Sequence, residues 1–209
     1  MEGELKAVNS AAIAPLSRVQ DEAFQQAYGR YISKGESRLN IGCALNHEPG
    51  WVNLDMDSRV HPDVLFDVEN VPLPFEDNTF DCILGSHVFE HVVNLVPLMH
   101  DLYRILKPGG FLLAITPYGS SDDAWDCPHH VRSFTENTWA YFSKRLYAYA
   151  APNAGHGAWQ GGDYQDWTIA ERWLVPYPEF ANDPEIEFKK RHWRNVISEL
   201  HVVLQKQEG

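Results

Sequence analysis

The chain has 209 residues, of which 44% are hydrophobic and 22% charged, and its formal net charge is -12. This length allows a single domain with a full apolar core, and no apolar run approaches the roughly 18 residues that a membrane helix requires. A strongly acidic chain is poorly suited to binding a polyanion, so nucleic acid is disfavoured as a partner. The short basic run FKKRHWR, at 188–194, fits a solvated loop or helix face. The acidic start of the sequence lacks the features of a signal peptide and predicts a cytoplasmic protein.

The first predicted elements are one amphipathic helix and a series of short strands. Residues 19–33 carry apolar side chains at helical spacing. Several of the segments that follow are apolar on successive residues, which is typical of parallel strands covered by helices on both faces. The predicted strands are 38–42, 51–55, 64–67, 80–86 and 110–116.

The connections between these strands predict one full crossover helix. VVNLVPLMHDLYRILKPGG, at 92–110, has a single apolar helical face and should end at Pro108 and Gly109. The connections after the first and second strands are shorter than the roughly dozen residues of a usual parallel crossover. Their helices are therefore expected to be cut down to about a turn, and the Pro-rich segment 69–80 is expected to be a loop.

The character of the sequence changes after Pro117, and six of the seven tryptophans follow it. Residues 133–146 predict a helix that is N-capped by Ser133 or Thr135, and 151–164 predict a glycine-rich loop. Residues 166–176 and 197–207 predict two long strands that end the sheet in antiparallel fashion.

These elements predict an α/β fold with a doubly wound, Rossmann-like, mostly parallel seven-stranded sheet. Helices are expected on both faces, with abbreviated first two crossovers and antiparallel C-terminal strands. We interpret 1–209 as a single domain with an N-terminal helical cap at 1–35, a cofactor-binding half at 36–117 and a substrate-side half at 118–209.

The residues that end the predicted strands form the candidate binding site, because ligands of open α/β sheets bind outside the carboxyl ends of strands. Gly42 ends the first strand, where a backbone can approach a ligand closely. Asp55 ends the second, where a carboxylate can accept two ribose hydroxyls, and Asp67 ends the third, where it can accept an adenine amino group. The pattern predicts a site for an adenosine-shaped ligand without a basic residue for phosphates.

The motifs LNIGC, VNLDMD, DVENVPLPFEDNTFDCILGSHVFEHV and LKPGGFLLAITP follow one another between Leu39 and Pro117. In this order they resemble class I S-adenosylmethionine-dependent methyltransferases, and within them the type 11 methyltransferase-like domains. The resemblance implies S-adenosylmethionine as cofactor and S-adenosylhomocysteine as product. It also implies a set of cofactor-binding residues: Asn40, Gly42, Cys43, Ala44, Asp55, Met56, Asp67, Val68, Ser86 and His87.

The first turn departs from the family pattern of acidic-x-Gly-x-Gly. Asn40 takes the acidic position and Ala44 replaces the second glycine. An amide brings no charge to attract the cofactor, and alanine is costly if the turn requires a positive φ. Both changes predict a weaker hold on the cofactor.

Three histidines are candidate catalytic residues. His87 follows the fourth strand near the expected reacting centre, and His129 and His130 lie in a loop after the fifth. A histidine has the pKa to deprotonate an acceptor near neutral pH, although methyl transfer mainly requires correct positioning. The loop's Asp, Cys and His residues match no standard metal signature, so we predict a hydrogen-bonded loop anchor and no metal.

The remaining predictions concern thiols, partners and reaction. Cys43, Cys82 and Cys127 have no paired spacing and are expected to be reduced, with Cys43 packing in the interior. The leading interpretation is a methyltransferase that acts on an oxygen or nitrogen of a small or medium-sized acceptor. The alternatives are a non-catalytic cofactor-binding module, an activating subunit, or an enzyme that cleaves the cofactor. A homodimer is left open.

Overall fold

A computed structural model describes residues 22–143 and 165–208 of the chain. Its helices are α1 (Glu22–Ile32), α2 (Leu95–Ile105), α3 (Asp123–Asp126) and α4 (Ile186–His192). Its strands are β1 (Arg38–Ile41), β2 (Val52–Asp55), β3 (Val64–Leu65), β4 (Phe80–Ser86), β5 (Leu106–Pro117), β6 (Thr168–Pro176) and β7 (Ile197–Gln205). Short 3-10 turns cover Ser58–Val60, Thr138–Phe142 and Pro178–Phe180.

All seven strands form one sheet in the order β3-β2-β1-β4-β5-β7-β6. Strands β1 to β5 are parallel, whereas β7 is antiparallel to both β5 and β6. The strand order reverses direction beside β1, which is where ligands of doubly wound sheets bind. The predicted fold class is confirmed.

The two long helices cover opposite faces of the sheet. On one face, α2 packs Leu98, Leu102 and Ile105 against alternate residues of the strands, such as Ile83 and Leu112. On the other face, α1 packs its buried aromatic side chains against the intervening residues of β4, β5 and β7. This alternation follows from the period of two in a β-strand, and it explains why the central strands are apolar on successive residues.

The short crossovers are also confirmed. The connection from β1 to β2 contains only turns, and the connection from β2 to β3 contains a three-residue 3-10 turn. The segment between β3 and β4 is irregular, as its proline content predicts. The connections that leave the carboxyl ends of β1 and β2 are therefore short.

Two predicted elements differ from the structure. The crossover helix ends at Ile105, before Pro108 and Gly109, because β5 already begins at Leu106. In the predicted helix 133–146, the described part forms only a 3-10 turn over Thr138–Phe142, and the hydroxyl of Thr138 accepts from the backbone N–H of Thr135 at 3.0 Å. Residues 19–21, 144–146 and the predicted glycine-rich loop 151–164 lie outside the described residues.

Within 22–143 and 165–208, no helix combines the length and the apolar character that crossing a lipid bilayer would demand.

Candidate functional site

A cavity of about 270 Å³ opens at the carboxyl edge of the sheet. The residues that line it come from the ends of β1 and β2 and from the segments that follow β3 and β4. They are Gly42, Ala44, Leu54, Asp55, Met56, Phe66, Asp67, Val68, Glu69, His87, Val88, His91 and Val92. The structure thus brings together seven of the sequence-predicted site residues: Gly42, Ala44, Asp55, Met56, Asp67, Val68 and His87.

The turn after β1 has a backbone conformation that few residues accept. Gly42 has φ +60°, and a Cβ built on it would lie 2.8 Å from Cγ2 of Val88. Any side chain at this position would therefore be strained and would collide with the cavity wall. Ala44 also has a positive φ, of +46°, in a region where glycine is usual. Alanine at the second glycine position of the family pattern is therefore energetically unfavourable.

Asp55 joins this turn to the end of β2. One of its carboxylate oxygens accepts from the N–H of Ala44 at 2.8 Å, and the other accepts from the N–H of Asp57 at 2.9 Å. Each carboxylate oxygen can accept more than one hydrogen bond, so Asp55 can still accept from two ligand hydroxyls. The two backbone donors fix the orientation of its carboxylate.

Asp67 and Glu69 form the wall of the cavity beyond β3. Oδ1 of Asp67 accepts from the N–H of Glu69 at 2.9 Å. The Glu69 carboxylate accepts from the N–H groups of Val93 and Asn94, at 2.5 and 3.0 Å, just before α2 begins. Glu69 thus accepts from two N–H groups just before α2 and connects the two sides of the cavity. Its acidic neighbour Asp67 was predicted, but the sequence offers no signal that Glu69 bonds to the segment before α2.

His87 lies at the sharp turn after β4, with φ +54°. Its Nε2 is 2.8 Å from Oε1 of Glu199, and its Nδ1 is 3.4 Å from Oε1 of the buried Glu90. Burial lowers the pKa of His87, but the hydrogen bonds to Glu199 and Glu90 outweigh this effect and raise the pKa to about 9. His87 is therefore an imidazolium at neutral pH, and this geometry does not suit it to act as a general base.

A hydrogen-bonded chain continues from His87 away from the cavity. Nε2 of His201 donates to Oε2 of Glu199 at 2.8 Å, and Nδ1 of His201 lies 2.7 Å from the hydroxyl of the buried Tyr28 in α1. Burial acts to raise the pKa of Glu199, but its hydrogen bonds to His201 and His87 dominate and lower the pKa below its ordinary value. Sequence reasoning missed Glu199 and His201. The available signal is a glutamate and a histidine two positions apart, and so on one face of a largely apolar strand.

Three predicted cofactor-binding residues, Asn40, Cys43 and Ser86, do not line the cavity. Asn40 is buried, and its amide donates to the carbonyl of Asn46 and to Oδ1 of Asn53, its partner on β2. Cys43 is buried, and burial raises the pKa of its thiol to about 11, so it is an unreactive packing residue. Ser86 is half-buried at the end of β4.

The other two catalytic candidates, His129 and His130, also lie outside the cavity lining. His129 is exposed, with Nδ1 4.0 Å from Sγ of Cys127. His130 is half-buried, with Nδ1 3.1 Å from the carbonyl of Ala124, and its ring contacts that of His91. His91 lines the cavity and was not predicted as a site residue.

Together, the strand order and the cavity define a Rossmann-like fold with a cavity at its topological switch point, where ligands of such sheets bind. The family described as "Methyltransferase domain" matches residues 43–114. Over these residues the chain is similar to that methyltransferase family.

Two curated relatives are similar to this chain over a short segment. The chain is 49% identical over 43 residues to the ubiquinone/menaquinone biosynthesis C-methyltransferase UbiE of Enterobacter sp. (strain 638), and to UbiE of Escherichia coli O1:K1 / APEC. The aligned segment is 21% of this chain and only 17% of either relative.

Solved structures share the fold at low sequence identity. A methyltransferase from Archaeoglobus fulgidus matches with a TM-score of 0.59 and 15% identity, over 88% of this chain and 92% of the other. One from Mesorhizobium loti matches with a TM-score of 0.53 and 12% identity, over 90% and 99%. The 4+2 cyclase SpnF matches with a TM-score of 0.55 and 13% identity, over 88% and 80%. These likenesses concern the fold.

Proposed function

We propose that the chain binds S-adenosylmethionine in this cavity and transfers its methyl group to a small or medium-sized acceptor. The observation that carries the proposal is the convergence of Gly42, Asp55 and Asp67 on one cavity. These residues end three neighbouring strands and supply a close backbone approach and two carboxylates. Glu69, in the same wall as Asp67, adds a third carboxylate.

The lining of the cavity fits the parts of this cofactor. The Asp55 carboxylate, held by two backbone N–H groups, can accept from the two ribose hydroxyls. Phe66, Val68 and Val92 supply apolar walls for an adenine ring, and Asp67 can accept from its amino group. The bound cofactor would supply an electrophilic methyl group. Among the described residues, the lining contains no lysine or arginine, which suits a nucleoside without phosphates.

The charge of His87 favours a role in binding. Because Nε2 of His87 donates to Glu199, only its Nδ1–H, 3.4 Å from Glu90, is left to donate to a carboxylate of the cofactor or to an anionic oxygen of the acceptor. The Glu199 hydrogen bond fixes its ring. Because in-line methyl transfer depends chiefly on positioning, the proposed reaction does not require His87 to accept a proton.

The class of acceptor follows from charge and from the relatives. The net charge of -12 disfavours nucleic acid and leaves a small organic molecule as the proposed substrate. We propose oxygen or nitrogen as the accepting atom. Carbon is the second candidate, because the 43-residue segment is similar to UbiE, which is a C-methyltransferase by name. Residues 118–209 are proposed to form the acceptor side of a single domain.

Calorimetry with S-adenosylhomocysteine tests the cofactor site. Asp55→Ala should weaken binding about tenfold or more, because a hydrogen bond to a charged group contributes about 1.5–3 kcal/mol. Asp77→Ala is the matched control, since Asp77 pairs with Arg104 and does not line the cavity. No binding to the wild-type chain at millimolar ligand, or equal losses in both variants, would contradict the proposal.

A second experiment separates catalysis from binding alone. SpnF has this fold and is named as a cyclase, so the fold does not by itself establish methyl transfer. Acceptor pools incubated with methyl-labelled S-adenosylmethionine should yield a labelled product, whose mass spectrum identifies the methylated atom. Binding without a labelled product would favour a non-catalytic module, and cofactor breakdown without an acceptor would favour a cleaving enzyme.

A further inference from the structure

Three potential metal ligands meet beside the cavity although they are distant in sequence. One ligand atom each from His91, Cys127 and His130 lies within 4.8 Å of the other two. His91 belongs to the segment after β4 and lines the cavity, whereas Cys127 and His130 belong to the loop after α3. The cluster therefore lies at the rim of the proposed cofactor site.

Backbone hydrogen bonds hold the two segments together. The N–H of Val131 donates to the carbonyl of Glu90 at 2.9 Å, beside both histidines of the cluster. Arg132 Nη2 donates to the carbonyl of Val92 at 2.8 Å. Within the loop, the N–H of His130 donates to the carbonyl of Cys127 at 3.0 Å. Cys127 and His130 thus belong to one tight turn, and the segment of His91 is hydrogen-bonded to the residue that follows this turn.

The orientation of His130 is the one that a metal ligand requires. Its Nδ1 lies 3.1 Å from the carbonyl oxygen of Ala124. A carbonyl can only accept, so Nδ1 carries the proton and Nε2 keeps its lone pair. Metal-binding histidines commonly donate their other ring N–H to a backbone carbonyl, which fixes the ring and its tautomer.

We propose that His91, Cys127 and His130 form a binding site for a thiophilic divalent cation of the Zn²⁺ class. Two imidazoles and a thiolate are ligands that zinc prefers, and three protein ligands leave a tetrahedral ion one open position for water or an acceptor atom. With usual zinc bond lengths, ligand atoms lie about 3.4 Å apart. The ligand atoms lie within 4.8 Å of one another, and a rotation of the exposed His91 side chain would bring them to this separation.

The competing interpretation is a loop anchor in which the two imidazole rings pack together. The centroids of the His91 and His130 rings lie 4.6 Å apart at 70°. Packing needs neither a thiolate at Cys127 nor stoichiometric metal, so metal binding itself distinguishes the two interpretations.

The test is metal binding by the full chain, freed of metal with a chelator and assayed without any methyltransferase cofactor. Zinc chloride should bind with one-to-one stoichiometry in competition with a chromophoric chelator. Cobalt chloride should give the visible bands of a tetrahedral ion and a thiolate-to-cobalt charge-transfer band. Cys127→Ser should abolish the charge-transfer band, and His91→Gln and His130→Gln should each weaken zinc binding at least about tenfold.

His129→Gln is the matched control, because His129 lies 4.0 Å from Cys127 Sγ but is not one of the three proposed ligands. It should leave zinc affinity within about threefold, since it removes no ligand. Thermal unfolding without metal verifies that each variant is folded. The inference is overturned if zinc does not bind stoichiometrically, if the charge-transfer band survives in Cys127→Ser, or if His129→Gln abolishes binding. Because no cofactor is present, these outcomes are independent of the proposed methyl transfer.

Discussion

Replacing Ala44 with glycine should stabilise the protein, although such a change usually destabilises. Ala44 has φ +46° in the turn after β1, and its side chain is exposed. A left-handed conformation costs an L-residue roughly 1–2 kcal/mol, and glycine does not bear this cost. Glycine, however, destabilises by roughly 0.4–1 kcal/mol, because the unfolded chain with glycine has more conformational entropy to lose on folding. The net gain in the free energy of unfolding should be about 1 kcal/mol.

Chemical denaturation of wild type and Ala44→Gly measures this difference directly. In a chain of this size, about 1 kcal/mol corresponds to a rise in Tm of about 2–4 °C. Ala181→Gly is the matched control, because Ala181 is also exposed but has φ -56°. It should destabilise by roughly 0.4–1 kcal/mol. If both variants lose stability equally, Ala44 does not occupy the left-handed region and the reasoning fails.

The same variant tests whether Ala44 weakens cofactor binding. The positive φ is present without ligand, and the N–H of Ala44 already donates to Asp55 at 2.8 Å. A strain that is equal in the free and bound states does not change affinity. Ala44→Gly should therefore leave the Kd for S-adenosylhomocysteine within about twofold. A tenfold tighter Kd would show that the turn rearranges when the ligand binds.

Two further predictions concern the cavity wall. NMR titration should show His87 with a pKa of about 9, and Glu199→Gln should lower it. Because the folded-state pKa is raised, the stabilisation from His87 is complete below about pH 6.5 and is lost as the pH rises through about 9; unfolding free energies that stay flat across this interval would contradict it. Gly42→Ala should destabilise more than Gly50→Ala in chemical denaturation, because both glycines have positive φ but only a Cβ at Gly42 meets another side chain, that of Val88. Equal losses would contradict the steric argument.

The sequence predicted the strand ends well because their placement follows from topology. Once the strands are parallel, Gly42, Asp55 and Asp67 must lie at one edge of the sheet, whatever the loops do. The same reasoning does not predict the position of the Asn40 side chain. Its neighbour across the ladder is Asn53, and two facing amides pair with each other in the interior. A sequence motif does not reveal which side chain a partner strand presents.

The partners of His87 could not be predicted for a related reason. Glu199 is 112 positions away, and its contact depends on how β7 is placed beside β5. The cluster of His91, Cys127 and His130 likewise depends on the hydrogen bond from Val131 to Glu90. Such contacts join residues that are far apart in sequence and form only when the strands and loops pack together. They therefore cannot be predicted from residue spacing or composition.

Because β7 is antiparallel to β5, residues from two distant parts of the sequence contribute to the site. Because β7 runs opposite to β5, its first residues lie at the edge where the parallel strands end, and Glu199 reaches His87 from there. A parallel last strand would leave those residues at the far edge. The proposed hydrogen-bond acceptors for the nucleoside, Asp55 and Asp67, thus precede residue 70, whereas Glu199, a partner of His87, lies near residue 200. Exchange of the two C-terminal strands between homologues is therefore expected to change the charge around His87 while leaving Asp55 and Asp67 in place.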